Sequence, residues 1–166
     1  IWTATDRGIS LCKLDNREKT IVSYGMDDGL PDLIVKEIER SEKGILWFGF
    51  DRNGICSFNP SGDKFKSYFI DSSSIGSVTA MSIEGGKVWI ADSKGGLYSV
   101  TENSDIQEQV KIIGNRPEGK ITGMISGVFG YLWMTDGDEL YVSAAGKLNL
   151  IKTAGGYSLE GLHSIA

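Results

Sequence analysis

The stretch ILWFGFDRNGICSF, residues 45–58, contains an apolar run with a tryptophan, a polar turn and a second apolar run. The turn is Asp51-Arg52-Asn53-Gly54, and these residue types favour a tight reversal of the chain. The stretch therefore predicts a β-hairpin. A closely similar pattern recurs three more times, so the repeat decides the fold rather than any single hairpin.

Two sequence elements carry the repeat, and both keep the same period. The first is a tryptophan preceded by an aliphatic residue, with spacings of 45, 42 and 44 residues between copies. The second is an aliphatic residue followed three positions later by Ile or Met, with starts 43, 43 and 41 residues apart. The four tryptophans are Trp2, Trp47, Trp89 and Trp133, and the second element starts at Val35, Val78, Ile121 and Leu162.

A period of forty-odd residues that holds four short strands is typical of one blade of a β-propeller. No window shows the 3.6-residue apolar spacing of a long helix. We name the strands A (Val-x-x-Ile), B (Trp), C (after the polar turn) and D, and expect an all-β propeller segment of about four four-stranded antiparallel blades. The expected boundaries are 1–25 for strands B to D of blade 1, 33–70 for blade 2, 77–113 for blade 3, 120–152 for blade 4, and 161–166 for an extra A strand.

These boundaries leave two ways to complete the ring. The final A strand could pair with the first B strand and close a four-bladed ring, or the chain could be an open arc of a larger propeller. We favour the arc, because a closed four-bladed ring from one chain is sterically tight. The chain also begins abruptly at Ile1-Trp2 inside a strand-like run, so we expect it to be a piece of a longer one. An arc would expose an apolar sheet face at each end, so we expect further blades of a longer parent chain, or a second copy, to cover it.

The tryptophan strand predicts a structural role for the indoles. Alternate residues of a strand point to opposite sides, so Trp47 and Gly49 share one face while Leu46 and Phe48 share the other. Both faces are apolar, as a sheet packed between two others requires. We therefore interpret Trp2, Trp47, Trp89 and Trp133 as packing residues.

Composition excludes several classes of function. The net charge is −5 and the basic residues are scattered, which argues against nucleic acid as a partner. No apolar run approaches the roughly 20 residues that span a bilayer. The two cysteines, Cys12 and Cys56, lie in no metal-binding or redox motif, and we interpret them as small buried apolar residues.

Residues 28–68 then suggest a family. The stretch contains Gly29-Leu30-Pro31, Leu46-Trp47 and Phe58-Asn59-Pro60, and it resembles the two-component regulator propeller repeat. The other copies resemble it more loosely; the fourth lacks the glycine before its C strand. The resemblance implies the periplasmic sensor region of a membrane-anchored hybrid histidine kinase of the Bacteroidetes type. It also implies a response to carbohydrate-derived signals, with an oligosaccharide as ligand.

No catalytic constellation is visible, so we predict that this segment is not an enzyme and needs no metal or cofactor. There is no G-x-S-x-G or H-E-x-x-H motif, and the single histidine, His163, has no Cys or Asp at ligand spacing. We expect no phospho-acceptor role for His163, which falls in the terminal A strand. Two alternatives remain open at this point: a protein-interaction scaffold, and a propeller lyase or glycosidase.

Ligand binding is predicted where the B–C turns and D–A loops of a propeller share one rim. Carboxylates, amides and guanidinium groups held on rigid strands suit sugar hydroxyls. The competing interpretation is that aspartates in turns serve local hydrogen bonds. The candidate ligand-binding residues are Arg7, Asp27, Asp28, Asp51, Arg52, Asn53, Lys94, Arg116 and Tyr157.

Overall fold

The computed structural model describes residues 1–15, 18–62, 64–69, 75–102, 107–109, 113–114, 117, 119–144, 147–151, 153–154 and 157–158. In these residues the regular structure is β-strand, with two short 3-10 turns at Met26–Asp28 and Val128–Gly130 and no α-helix. None of the described residues forms a helix that could cross a membrane. The all-β prediction is confirmed.

Two sheets make up the first of two compact units, residues 1–78. The first sheet has three antiparallel strands in the order β1-β2-β3. The second has four, in the order β4-β5-β6-β7. The strands are β1 (Trp2–Thr5), β2 (Gly8–Asp15), β3 (Glu18–Tyr24), β4 (Val35–Arg40), β5 (Leu46–Phe50), β6 (Ile55–Asn59) and β7 (Lys64–Tyr68).

The second unit, residues 79–166, holds the remaining sheets, except that the third sheet begins one residue earlier. The third sheet has the order β11-β10-β9-β8 and the fourth the order β12-β16-β15-β14-β13; a two-stranded hairpin pairs β17 with β18. The strands are β8 (Val78–Glu84), β9 (Lys87–Asp92), β10 (Leu97–Thr101), β11 (Gln107–Gln109), β12 (Ile113–Gly114), β13 (Gly123–Ser126), β14 (Leu132–Thr135), β15 (Leu140–Ala144), β16 (Lys147–Ile151), β17 (Thr153–Ala154) and β18 (Tyr157–Ser158).

The core of the first unit forms where the tryptophan-bearing face of the first sheet packs on the second sheet. The Trp2 ring lies 5.1 Å from the Phe58 ring and 6.0 Å from the Phe48 ring, centroid to centroid. Phe48 and Phe58 are at most 3% exposed. On the opposite face of β5, the ring of Trp47 lies 5.3 Å from the ring of Tyr68. All five residues of β5 are buried, which confirms that both faces of this strand are apolar and covered.

The second unit repeats this packing rule. Trp89 and Ala91 lie on one face of the third sheet and pack against Met124, Met134 and Tyr141 of the fourth. The Thr79 hydroxyl also donates a hydrogen bond of 2.6 Å to the carbonyl oxygen of Ile121, which precedes the fourth sheet. In both units, therefore, the face that carries the tryptophan contacts the other face of the next sheet.

The four tryptophans are nevertheless not equivalent. Trp47 is 1% exposed, whereas Trp2, Trp89 and Trp133 are half-buried. The cysteines differ in the same way: Cys56 is fully buried in the core of the first unit, and burial raises the pKa of its thiol, while Cys12 is half-buried. The expectation of a buried apolar cysteine is confirmed for Cys56 and wrong for Cys12, because Cys12 lies on the outer face of the first sheet.

The end of the third blade differs from the expected boundary, because its last residues pair with the fourth sheet. Blade 3 was expected to extend to residue 113, and β11 (Gln107–Gln109) belongs to the third sheet. Ile113 and Gly114 form β12, which pairs in parallel with β16 and adds a fifth strand to the fourth sheet. A two-residue strand has no hydrophobic period to reveal it. The predicted A strand at 161–166 lies outside the described residues.

Two half-buried carboxylates on β4 predict a pH effect on stability. Glu37 and Glu39 are paired with Gly49 and Trp47 of β5, so they lie on the face that carries Trp47. Desolvation raises the pKa of both side chains above the ordinary 4.5, and the charge of Glu39 adds to the effect on Glu37. The folded state therefore holds these protons more tightly than the unfolded chain does. At neutral pH, where both side chains are ionised, their desolvation lowers the free energy of unfolding. This destabilisation disappears as the pH falls through the raised pKa values towards 4.5, because both side chains become protonated.

We therefore expect Glu37→Gln and Glu39→Gln to raise the midpoint of thermal unfolding at pH 7. The gain should shrink steadily as the pH is lowered to about 4.5. Thermal unfolding followed by circular dichroism at several pH values measures it. Glu42→Gln, at an exposed position after β4, is the control. A rise in the unfolding midpoint of the same size at every pH would show that the ionised form of these side chains does not destabilise the fold.

Candidate functional site

The candidate site of the first unit is built from three backbone segments that are tied to one another. The loop that follows β3, residues 25–34, lies against the turn after β1 and the turn after β5. The Gly8 amide donates to the Leu33 carbonyl at 2.7 Å, and the Asp51 amide donates to the Ile34 carbonyl at 2.9 Å. These bonds bring the predicted residues Arg7, Asp27, Asp28, Asp51, Arg52 and Asn53 onto connected segments. We call these segments the first-unit rim.

Asp32 holds two of these segments together. One carboxylate oxygen accepts the amide of Leu33 at 2.7 Å, and the other accepts the amide of Arg52 at 2.9 Å. The side-chain amide of Asn53 donates to the Pro31 carbonyl at 2.8 Å. The Arg52 side chain itself extends into solvent, with 76% of its surface exposed and its Nε 3.9 Å from the Asp51 carboxylate. The rim is thus a hydrogen-bonded backbone frame that displays a guanidinium group.

The predicted rim residues divide by what their side chains do. Asn53 holds the loop through Pro31, and its φ of 60° is in the left-handed region that asparagine tolerates. Asp28 accepts the Gly25 amide at 2.7 Å and so closes its own turn. Asp51 accepts the Ser77 hydroxyl at 2.9 Å. Arg7, Asp27 and Arg52 are exposed, so these three present charged groups to solvent.

Asp32 was not among the predicted site residues, although it is the residue that organises the rim. Its sequence signal is its place directly after Pro31, where an aspartate commonly accepts nearby backbone amides. Its bond to Arg52 spans 20 residues of sequence, and no local pattern reveals a partner at that distance.

We expect Asp32→Ala to lower the free energy of unfolding by about 1–2 kcal/mol, because two backbone amides lose a charged acceptor. Asp27→Ala, an exposed aspartate on the same loop, should change it by less than about 0.5 kcal/mol. Urea unfolding of both variants measures the difference. Equal losses in the two variants would show that Asp32 does not tie the loop to the turn.

In the second unit, the corresponding turns are held from inside by aspartate and tyrosine. Asp92 is fully buried, and one of its carboxylate oxygens accepts the amides of Lys94 and Gly96 at 3.0 Å and 2.6 Å. The Tyr98 hydroxyl donates to the other oxygen at 3.4 Å. Burial, followed by the nearby Asp92 charge, raises the pKa of Tyr98, so the phenol stays a donor. The interpretation of aspartates as local turn acceptors is confirmed here.

The fourth sheet repeats the arrangement with a second carboxylate. Asp136 accepts the amides of Asp138 and Glu139 at 3.2 Å and 3.0 Å. The Tyr141 hydroxyl lies 2.6 Å from a Glu139 carboxylate oxygen and 3.3 Å from one of Asp136. Burial first, and the two carboxylates next, raise the pKa of Tyr141. These carboxylates serve the turn, and no group of three or more metal-binding side chains occurs in the part of the chain that the structure describes.

The remaining predicted site residues belong to the second unit of the chain. Lys94 is exposed in the turn after β9, in the second unit. Arg116 lies outside the described residues. Tyr157 falls in β18, within a stretch expected to be a loop, and the position of its side chain is not described.

Comparison with solved structures identifies the architecture. The chain is 21% identical to the extracellular domain of BT4673 of B. thetaiotaomicron, described as a hybrid two-component system; the match covers 96% of this chain and 22% of that one, with a TM-score of 0.72. The fold is that of a β-propeller segment. The predicted fold class is confirmed, and the resemblance noted in the sequence holds at the level of fold.

Other solved structures share this propeller fold. The extracellular domain of BT3049 of B. thetaiotaomicron, also described as a hybrid two-component system, is 21% identical over 87% of this chain and 20% of its own, with a TM-score of 0.68. The virginiamycin B lyase of Staphylococcus aureus is 17% identical over 96% of this chain and 52% of its own, with a TM-score of 0.69. The propeller segment spans about a fifth of the two-component system domains that it matches. No protein-family model and no curated protein matches the chain.

Proposed function

We propose that this propeller segment belongs to the extracytoplasmic sensor region of a two-component system and that the first-unit rim binds a carbohydrate-derived ligand. The observation that carries the proposal is the rim itself. Exposed Arg7, Asp27 and Arg52 project from loops whose backbones are fixed by Asp32 and by bonds to Leu33 and Ile34. A rigid frame that displays donors and acceptors suits a polyhydroxylated ligand, because little ordering is needed on binding.

The comparisons support the cellular role in the same proposal. Two of the similar solved structures are extracellular domains of proteins described as hybrid two-component systems. A segment of such a domain would report ligand binding to a kinase elsewhere in its parent chain, and the parent would be anchored in the membrane with this segment in the periplasm.

Isothermal titration calorimetry of the 166-residue chain with a panel of neutral oligosaccharides tests the ligand proposal. Cellohexaose, maltohexaose, xylohexaose and mannohexaose are suitable probes. Arg52→Ala should weaken the best binder about tenfold, since a donor to sugar hydroxyls is lost. Arg40→Ala is the matched control, because Arg40 is also exposed but lies at the opposite end of β4 from the rim. Equal effects of the two substitutions, or no binding by any probe, would overturn the proposal.

A second candidate function, a propeller lyase, is favoured by one observation: the virginiamycin B lyase shares the fold with a TM-score of 0.69. The described residues contain no histidine, and the carboxylates of Asp92 and Asp136 accept turn amides. Incubation of the chain with the same oligosaccharides, followed by chromatography of the products, separates the two candidates. Appearance of shorter saccharides would support an enzyme over a sensor.

We also propose that further blades or a second copy cover the outer face of the first sheet. Leu14 and Ile21 lie on the face opposite Trp2, and they are 77% and 57% exposed. In the second sheet, the corresponding face carries Phe48 and Phe58, and it is covered by the face of the first sheet that carries Trp2. Sedimentation velocity should therefore show self-association that weakens in a Leu14→Ser/Ile21→Ser variant. A monomer at every concentration would contradict the second-copy form of this proposal.

A further inference from the structure

The hairpin between β13 and β14 carries an aromatic side chain that has no role in the core. Phe129 is 92% exposed, and Tyr131 on the same hairpin is 40% exposed. The hairpin is well fixed: the Gly127 amide donates to the Tyr131 carbonyl at 2.7 Å, and an added Cβ at Gly127 would lie 2.8 Å from the Trp133 indole nitrogen. This hairpin precedes β14, whereas the predicted rim turns follow the B strands, so it lies at the other end of the blade.

The backbone conformation at Phe129 is also unfavourable for the folded state. Its φ is 63°, in the left-handed region that a bulky side chain rarely adopts. The equivalent hairpins place glycine in this region: Gly44 between β4 and β5, and Gly85 and Gly86 between β8 and β9. A glycine at position 129 would relieve the backbone and remove an exposed apolar ring. Strain of this kind, kept without a packing reason, indicates a functional residue.

A carboxylate lies close to the backbone between Phe129 and Tyr131. An added Cβ at Gly130 would lie 3.5 Å from the nearer carboxylate oxygen of Glu84, at the end of β8. The hairpin of the fourth sheet and the turn of the third sheet therefore meet at this point. Phe129, Tyr131 and Glu84 form what we call the hairpin platform.

The size and chemistry of the hairpin platform decide between two kinds of occupant. A stable protein interface buries about 800 Å² on each partner, whereas one exposed phenylalanine offers on the order of 200 Å². An aromatic ring of that area matches the apolar face of a single sugar ring, and an adjacent carboxylate can accept its hydroxyl protons. A protein pocket that closed over the ring would instead have to desolvate the Glu84 carboxylate, which costs free energy unless a cation pairs with it.

We propose that the hairpin platform is a second saccharide-binding site, in which Phe129 stacks on one sugar ring and Glu84 accepts a hydroxyl hydrogen bond. This inference deepens the carbohydrate-sensing proposal and rests on it.

Nuclear magnetic resonance with ¹³C-labelled phenylalanine rings tests the platform directly. The Phe129 ring signals, assigned by their absence in Phe129→Gly, should shift on titration with the same oligosaccharides. Phe129→Gly should weaken binding at this site at least tenfold, Phe129→Trp should retain it, and Glu84→Ala should weaken it several-fold. Glu42→Ala, at an exposed position of the equivalent hairpin between β4 and β5, should have no effect.

Thermal unfolding of Phe129→Gly gives an independent readout. We expect an unchanged or higher midpoint, since the left-handed backbone suits glycine and the ring packs on nothing in the core. A lower midpoint would assign the ring to the fold and overturn the inference, as would unchanged binding in Phe129→Gly. Binding that shifts no Phe129 signal but is lost in Arg52→Ala would overturn the platform and leave the rim proposal standing. No binding by any probe would overturn both.

Discussion

Replacing Gly54 by alanine is expected to lower the free energy of unfolding by about 2–5 kcal/mol, a large effect for a single methyl group. Gly54 precedes strand β6 and has a φ of 80°. A Cβ there would overlap the carbonyl oxygen of Tyr68 and would lie 2.8 Å from the Phe69 Cβ. Both obstacles are backbone or Cβ atoms, so no side-chain rotation can relieve the collision.

The chain offers a matched control for this prediction. Gly95 has a φ of 78°, nearly the same as Gly54, but an added Cβ there meets nothing within 4 Å. Gly95→Ala should therefore cost only the left-handed backbone penalty of about 1–2 kcal/mol. Urea unfolding of both variants separates backbone strain from collision. Losses of equal size would show that the close approach of Gly54 to β7 has no energetic weight.

The same collision explains the glycine where the C strand begins in the first two copies of the repeat: Gly8 is the first residue of β2, and Gly54 directly precedes β6. A Cβ on Gly8 would overlap the carbonyl oxygen of Tyr24, the last residue of β3, as one on Gly54 would overlap that of Tyr68. In the third copy the obstacle changes, because a Cβ on Gly96 would lie 2.5 Å from the Tyr98 ring. In the fourth copy Glu139 takes this place, and its side chain accepts the Tyr141 hydroxyl.

Trp47→Ala is expected to cost about 3–5 kcal/mol, because the indole is 1% exposed and its removal leaves a large cavity beside Tyr68. Trp47→Phe should cost less, since a smaller ring still fills part of the space. Chemical denaturation followed by far-ultraviolet circular dichroism measures both.

Trp133→Ala is the comparison that tests the uneven burial of the four indoles. Trp133 is half-buried, so its removal should cost clearly less than that of Trp47. A loss below about 1 kcal/mol for Trp47→Ala, or a larger loss for Trp133→Ala, would contradict the assignment of Trp47 as the central packing residue.

Most of the fold was predictable because its signals are local. The tryptophan strands β5, β9 and β14, and the apolar C strands that follow them, were read from residues at most a dozen positions apart. The Val-x-x-Ile element at Val35 predicted β4. The short strands β12, β17 and β18 were missed, since two residues carry no periodicity.

The candidate site was predictable only in outline. The sequence indicated which turns and loops meet at a rim, and the structure ties the turns at Gly8 and Asp51 to the loop 25–34. It did not indicate that Asn53 is bound to the Pro31 carbonyl, or that Asp32 is the residue that fixes the Arg52 backbone. Nor did it single out Phe129, whose exposure depends on the path of the hairpin.

The sequence by itself determined the β-repeat, the order of the strands and the two apolar faces of the strand that carries Trp47, because pleating and turn chemistry are set by residues next to one another. Only the tertiary structure decided which indole is buried, which polar side chains hold loops and which reach solvent. Those outcomes depend on contacts such as Arg52 with Asp32 and Asp51 with Ser77, across 20 and 26 residues of chain. At such separations the partner is chosen by how the sheets pack, and no spacing within the repeat encodes it.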